Sequence, residues 1–380
     1  MPRVLILYTS VGSGHKRAAM ALADAFSRKQ AAEVRVEDAL DYGSPLFRQA
    51  YSRSYLDLSE RAPMLWRLFY EGTNTNDPEL VEMTNRLRSL VERLAVTRLE
   101  RLVRRFAPAA IVCTHFLPVE LLLRLKLRGR LPQPLYCVVT DFAAHAFWVA
   151  PDVDGYFVAS TITREQLIAR RVPPSIIHVS GIPIDLAIAE PKSVEQTRIQ
   201  LGLPNDQPLV SFFGGGLDIE RVQQMVEGLL TCGAAGTLVV VAGRNEALIS
   251  ALDDLSSSPT MDLHKLGLIA HVDDLLVASD LVITKAGGLI VSETLARGRP
   301  LLVIDPIPGQ EEWNADYVVS VGAGIQLRMP ASVPLAVQQL LDHPDWLAIL
   351  RAAAQAVGRP RAALDIAEHI LHELHVGVHA

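Results

Sequence analysis

Three groups of side chains in this sequence have the types and spacing to do chemistry. The first is His15, directly after Gly12-Ser13-Gly14 and at the start of a helical run from Lys16 to Arg28. A ring at the positive end of a helix dipole is disfavoured as imidazolium, so a neutral, proton-accepting imidazole is expected there. A histidine that only caps the turn is the competing reading. The second group lies in residues 284–316. Lys285-Ala286-Gly287-Gly288 follows an apolar strand at 281–284, Glu293 comes two turns into the next helix, and Gln310, Glu311 and Asn314 follow the strand at 301–304. A glycine turn lets backbone N–H groups approach a phosphate at a helix N-terminus. Glu293 is then within reach of a ribose, and the later amides and carboxylates can bond sugar hydroxyls. An ordinary strand–helix–strand unit with a solvated loop is the plain alternative, and the cluster of amides and carboxylates weighs against it. The third group is Asp141, His145 and Trp148, after a strand at 135–139. These can line a second-substrate site, or Asp141 can simply close an Asx-type turn.

The elements that must position these groups read as strand, glycine turn and helix, repeated. Val4 to Tyr8 is a buried strand, and the helix after it carries Ala19, Leu22, Ala23 and Phe26 at helical spacing. The opening lacks the third glycine of a dinucleotide fingerprint. Val210 to Phe213 leads into Gly214-Gly215-Gly216, a second turn able to receive a pyrophosphate. Leu238 to Val241 leads into Gly243-Arg244, where Arg244 pairs with a phosphate or caps. Ligands of such units bind at the carboxyl ends of the strands. The polar stretch 185–207, with Pro191 and Pro204, reads as an interdomain connection.

A chain of 380 residues, 49% hydrophobic and 6% aromatic, fits an aliphatic α/β protein of about two domains. It has no apolar run long enough to span a bilayer, and it enters its first strand with no signal peptide expected. Cys113, Cys137 and Cys232 have no metal spacing and read as inert thiols of a reducing compartment. The charge is divided. Residues 1–150 hold 21 Lys+Arg against 15 Asp+Glu, a net +6, while 151–380 hold 15 against 27, a net −12. The first half therefore suits an anionic surface. Nucleic acid ranks below it, because no helix-turn-helix or aromatic-interleaved basic motif is present.

Residues 43–80 are rich in aromatics, including Trp66 and Phe69, interleaved with Arg48, Arg53, Arg61 and Arg67. That mixture suits a lipid interface, or a helix pair packed on the core. A long helix over 79–107 carries seven arginines and adds attraction to anionic lipid.

The 284–316 stretch resembles the donor-site signature of the monogalactosyldiacylglycerol synthase and processive diacylglycerol glucosyltransferase family, which is related to the lipid II-forming glycosyltransferases. The matching residues are Lys285 to Gly288, Glu293, Pro300, Ile307 to Glu312, and Asn314. Gly12 to His15 resembles the family's first motif, and Asp141, His145 and Trp148 its second. The resemblance implies a GT-B fold, with two Rossmann-like α/β domains facing a central cleft and a C-terminal helix crossing back. It sets an acceptor and membrane-facing domain at 1–185, a donor domain at 186–362 and a returning helix at 363–380. It further implies an inverting transfer of glucose or galactose from a UDP-sugar to diacylglycerol, at the cytoplasmic face of the cell membrane, by a peripheral enzyme.

In that scheme His15 is the general base, with Asp141 and His145 as reserves, and Gly14, Trp66, Phe69 and Trp148 lie on the acceptor side. Gly214, Gly215, Gly216, Gly287 and Gly288 approach the pyrophosphate, and the backbone near Val272 faces the uracil. Lys285, Arg244 and helix N-termini stabilise the leaving group. No metal and no cofactor are expected, since no Asp-x-Asp motif is present. The alternatives are a polyprenyl-linked acceptor, a UDP-sugar 2-epimerase and a UDP-sugar sensor.

Overall fold

The computed structural model describes residues 1–45, 48, 49, 63–74 and 95–377. The chain divides into two compact units. The first comprises Met1–Leu186, Ile307–Trp313 and Arg361–Ala380, and the second Ala187–Pro306 with Asn314–Pro360.

The first unit is built on six parallel strands. These are β1 Arg3–Tyr8, β2 Glu33–Asp38, β3 Ala110–Cys113, β4 Leu135–Val138, β5 Gly155–Val158 and β6 Ile177–Val179, in the order β2-β1-β3-β4-β5-β6. β3, β4 and β5 are buried at every position, as continuous apolar runs are when helices cover both faces. The edge strand β2 is charged along its length, which keeps an open edge from pairing with other chains. The chain leaves β1 to pair β2 on one side and returns to pair β3 on the other. That reversal opens a crevice at the carboxyl ends of β1 and β3.

The helix Ser13–Arg28 begins in that crevice and buries Ala18, Ala19, Leu22, Ala23 and Phe26. It starts earlier than the sequence suggested, because Gly12 takes φ 79° and turns the chain at once. The helix Ala362–Gly377 packs on it, tied to its C-cap by a 2.6 Å Lys29–Glu368 ion pair, and is joined to β4 by the Tyr136 hydroxyl donating to Glu373 at 2.5 Å.

The second unit repeats the plan. β7 Leu209–Phe213, β8 Gly236–Val241, β9 Met261–Leu266, β10 Leu281–Thr284, β11 Leu301–Ile304 and β12 Gly324–Leu327 are parallel, in the order β12-β11-β10-β7-β8-β9. Here the order reverses between β7 and β10. The crevice therefore lies where Gly214 to Gly216 and Lys285 to Gly288 emerge.

Two expectations change. The run Pro306-Ile307-Pro308-Gly309-Gln310-Glu311-Glu312 after β11 reads in the sequence as a polar loop, but the helix Gln310–Ser320 has begun by Gln310. Glu311 accepts from the Ile307 N–H at 2.8 Å, and Glu312 accepts from the Gly309 N–H at 3.2 Å. Glu312 thus satisfies a donor that the helix start leaves open, and Glu311 pins the turn before it. Of the long helix expected over 79–107, residues 95–106 are helical. The rest of that expectation, together with what the sequence led one to expect of residues 46, 47, 50–62 and 75–78 and of the side chains of Trp66, Arg67 and Phe69, lies outside the described residues. The backbone of both aromatics belongs to the helix Pro63–Thr73.

Candidate active site

His15 sits in the first turn of the helix Ser13–Arg28 and is held from two neighbouring strands. Its Nδ1 lies 3.0 Å from the carbonyl oxygen of Thr114, just past β3, and 2.8 Å from Oγ1 of Thr140, just past β4. Thr114 closes a second bond, donating from Oγ1 to the His15 carbonyl at 2.9 Å. A carbonyl only accepts, so Nδ1 carries the ring proton and Nε2 carries the lone pair. This tautomer is assigned from the hydrogen-bond pattern. The ring of His115 meets His15 edge-on at 4.5 Å, and Trp148 lies 6.4 Å away. Burial lowers the His15 pKa to about 4, against the opposing pull of the Thr114 carbonyl. At neutral pH the ring is an uncharged proton acceptor. Gly14 precedes it in the same turn and is partly exposed.

The wall beside it is aromatic. Trp148, 2% exposed, approaches His115 and Phe116, and the buried Tyr156 hydroxyl fixes the Trp148 loop through Trp148 and Ala150. Asp141 is half-buried in the turn after β4, next to Thr140. His145 is engaged differently from His15. Its Nδ1 accepts from the Phe147 N–H at 3.1 Å, and its Nε2 donates to the Tyr70 carbonyl at 2.8 Å. Both nitrogens of that buried ring serve the fold, so its place as a reserve base is taken by a structural task. Its ring also stacks with Trp313 and meets the Tyr70 ring at a tilt, 4.2 Å between centroids. Gly309, at φ 90°, presses so close to Tyr70 that a Cβ would fall 2.7 Å from that ring. Gln310 and Glu311 thus group with the first unit, in the segment Ile307–Trp313.

In the second unit, Gly215 lies against the end of β8, where a Cβ would fall 2.3 Å from the Ala242 carbonyl oxygen. Only glycine admits that approach. Beside it, a Cβ on Gly216 would stand 3.6 Å from Nζ of Lys285, so the ammonium adjoins the triple-glycine turn. The helix Gly288–Ala296 starts at Gly287 with no capping side chain and no acid in its first turn. Its leading N–H groups and dipole favour an anion there. By contrast, the helix Ile219–Thr231 is capped by Asp218.

Glu293, 1% exposed, lies inside the helix Gly288–Ala296. Asn314, expected at sugar hydroxyls, is fully buried and donates from Nδ2 to the Ala286 carbonyl at 3.0 Å. Its task is to hold the turn that precedes the helix. Val272 opens the helix Val272–Ala278, anchored by Asp273 on Arg297 at 2.5 Å and on Lys192 at 2.6 Å. Burial pushes the Asp273 carboxyl up, but hydrogen bonds from Arg297 and Lys192 outweigh it and hold the pKa below the usual range. Arg244 is exposed just beyond β8. The second crevice therefore has Gly214 to Gly216 beside Lys285, and the Lys285 to Gly288 turn is held by Asn314.

Thr114 and Thr140 were missed by the sequence reading. One acts through a backbone carbonyl, and both meet His15 only because β1, β3 and β4 are neighbours.

Residues 15–184 match the Monogalactosyldiacylglycerol (MGDG) synthase family, and residues 209–347 the Glycosyltransferase family 28 C-terminal domain. A processive diacylglycerol beta-glucosyltransferase of Bacillus subtilis is 28% identical over 373 residues, covering 98% of this chain and 95% of that protein. Among solved structures, Acinetobacter baumannii MurG superposes with a TM-score of 0.61 at 15% identity, over 99% of both chains. The UDP-GlcNAc 2-epimerase of Neisseria meningitidis, bound to UDP-GlcNAc, superposes with a TM-score of 0.61 at 14% identity, over 97% of this chain and 100% of that one. These two likenesses show the fold, which is of the GT-B class.

Proposed function

We infer the function from a premise of descent, carried by the match of residues 15–184 to the monogalactosyldiacylglycerol synthase family and of residues 209–347 to the glycosyltransferase family 28 C-terminal domain. The chain is a UDP-sugar-dependent hexosyltransferase that makes a glycolipid from diacylglycerol. The observation that carries the chemical side of this reading is the His15 ring, held through Nδ1 by the Thr114 carbonyl and so presenting its lone pair on Nε2.

The reaction needs few parts. The lipid O–H bond breaks as its oxygen attacks the anomeric carbon, and the proton passes to Nε2 of His15. The bond from that carbon to the diphosphate oxygen breaks, and UDP leaves with the electron pair, inverting the centre. Charge growing on the diphosphate is met by the Lys285 ammonium and by the N–H groups of the helix Gly288–Ala296. Glu293 accepts from the ribose, and the Val272 backbone faces the base. Arg244 adds positive charge, and Gln310 and Glu311 bond the hexose. Support for the donor half comes from the strand reversal between β7 and β10, a position where nucleotides bind in such sheets.

The lipid side implies a peripheral enzyme at the cytoplasmic membrane face. Among the described residues, no helix is long and apolar enough to cross a membrane. On the helix Pro63–Thr73, Leu65 is 58% and Leu68 is 64% exposed. Arg101, Arg104 and Arg105 are exposed on the helix at 95–106. Exposed leucines on an amphipathic helix, on a basic half-chain, suit an anionic lipid surface.

Incubation with diacylglycerol liposomes and either UDP-glucose or UDP-galactose, with lipids read by mass spectrometry, tests the function. A hexosyl-diacylglycerol is expected from one donor. Release of free sugar or a 2-epimer with no glycolipid overturns the reading. Co-sedimentation with anionic liposomes tests the surface. The Leu65→Glu, Leu68→Glu double variant should lose at least about tenfold in partitioning, since burying one leucine is worth about 1.5–3 kcal/mol. Equal pelleting of variant and wild type removes these leucines from the interface.

A further inference from the structure

We propose that Thr140 is a positioning residue for His15, its hydroxyl oxygen fixing the ring in the orientation that leaves the lone pair on Nε2. The proposal rests on the reading of His15 as the base and deepens it. Two oxygens converge on Nδ1 from different strands: the Thr114 carbonyl at 3.0 Å and the Thr140 hydroxyl at 2.8 Å. One acceptor lets an imidazole pivot about its hydrogen bond, whereas two acceptors define a plane. A half-turn of the ring would bring a C–H group to face both oxygens and lose both bonds. Thr140 is 5% exposed and lies two residues past the fully buried strand β4, so its hydroxyl is packed in and not free in solvent.

The arrangement also selects a kind of base. In a Ser-His-Asp triad a carboxylate faces the proton-bearing nitrogen and stabilises the imidazolium. Here a carbonyl dipole and a hydroxyl oxygen take that position. They stabilise positive charge only as it develops, without protonating the resting ring. The groups against the ring are Thr114 and His115 from the segment after β3, Thr140 from the end of β4, and Trp148. The titratable one among these is His115. Its Nδ1 accepts from the Leu117 N–H at 3.0 Å, so that nitrogen is engaged as the N-cap of the helix Phe116–Lys126. Asp141 follows Thr140 in the chain.

The test compares Thr140→Val, which keeps the shape and removes the oxygen, with Thr140→Ser, which keeps the oxygen. Thr140→Val should lower kcat about tenfold, the upper range for one neutral hydrogen bond, with KM for the UDP-sugar unchanged. The acid limb of its pH profile should move to lower pH, because an acceptor that stabilised the imidazolium is gone. Thr140→Ser should restore both. Nitrogen-15 NMR of histidine-labelled protein reads the ring directly, with the His15 signals assigned by their loss in His15→Ala. The wild type should show Nδ1 protonated, and Thr140→Val should show a lower His15 titration midpoint. Equal impairment of the valine and serine variants overturns the proposal, as does an unchanged midpoint in Thr140→Val. The two failures separate: full turnover in His15→Ala overturns the base itself, whereas an unchanged midpoint overturns the positioning and leaves the base in place.

Discussion

Replacing His15 with alanine lowers kcat by about 10²–10⁴-fold, the usual contribution of a positioned general base, and leaves UDP affinity by calorimetry near that of the wild type. The side chain lies in the first unit, while the proposed nucleotide contacts lie in the second, so binding and proton transfer should come apart in this variant. The pH profile provides an independent reading. A histidine ordinarily titrates near 6.5, but burial brings His15 to about 4. Above pH 4 the ring is neutral and able to accept a proton; below it the imidazolium has none to take. The acid limb of kcat/KM in the wild type should therefore fall near pH 4, and it should vanish in whatever activity His15→Ala retains. Near-full turnover in the variant places the base elsewhere, and Asp141 is the next residue to replace.

Glu293→Ala weakens UDP binding by about 10–100-fold, with the lipid-binding behaviour of the chain unchanged. A hydrogen bond to a charged group is worth about 1.5–3 kcal/mol net, and the two ribose hydroxyls can both donate to one carboxylate. Glu293 is 1% exposed, so truncation also risks the fold around it. Glu293→Gln addresses that risk. It keeps the volume and one acceptor oxygen, so its melting temperature should stay close to the wild type while its UDP affinity falls to an intermediate value. Unchanged affinity in both variants means that Glu293 supports the helix Gly288–Ala296 and does not touch the nucleotide.

The strands were the most legible part of this sequence. β1, β10 and β11 are short apolar runs bounded by glycine or polar turns, and parallel sheets buried on both faces require such runs. His15 and the Lys285 to Gly288 turn stood out for the same reason, since each follows a strand and opens a helix. The partners of His15 did not stand out. Nothing in the types of Thr114 and Thr140 sets them apart from other threonines. They acquire a role through strand order, which pairs β1 with β3 and β3 with β4. The helix at Gln310 was hidden because Pro306, Pro308 and Gly309 read as loop, and its start depends on two glutamates reaching backwards. Asn314 looked like a sugar ligand because an amide is equally suited to a hydroxyl and to a backbone carbonyl. Its burial decides for the carbonyl.

The helix Ala362–Gly377 bears on how this chain is made. It packs on Ser13–Arg28 and belongs to the same compact unit as Met1–Leu186. A ribosome adds about 5–20 residues per second, so the amino-terminal sheet waits on the order of ten seconds or more for the segment that completes it. During that interval the second unit can close around its own sheet, while the surface of Ser13–Arg28 that the late helix covers stays open to chaperones. Emergence of the late segment is then the signal that ends the vigil, and a nascent chain halted before residue 362 should be a chaperone client and not a half-built enzyme.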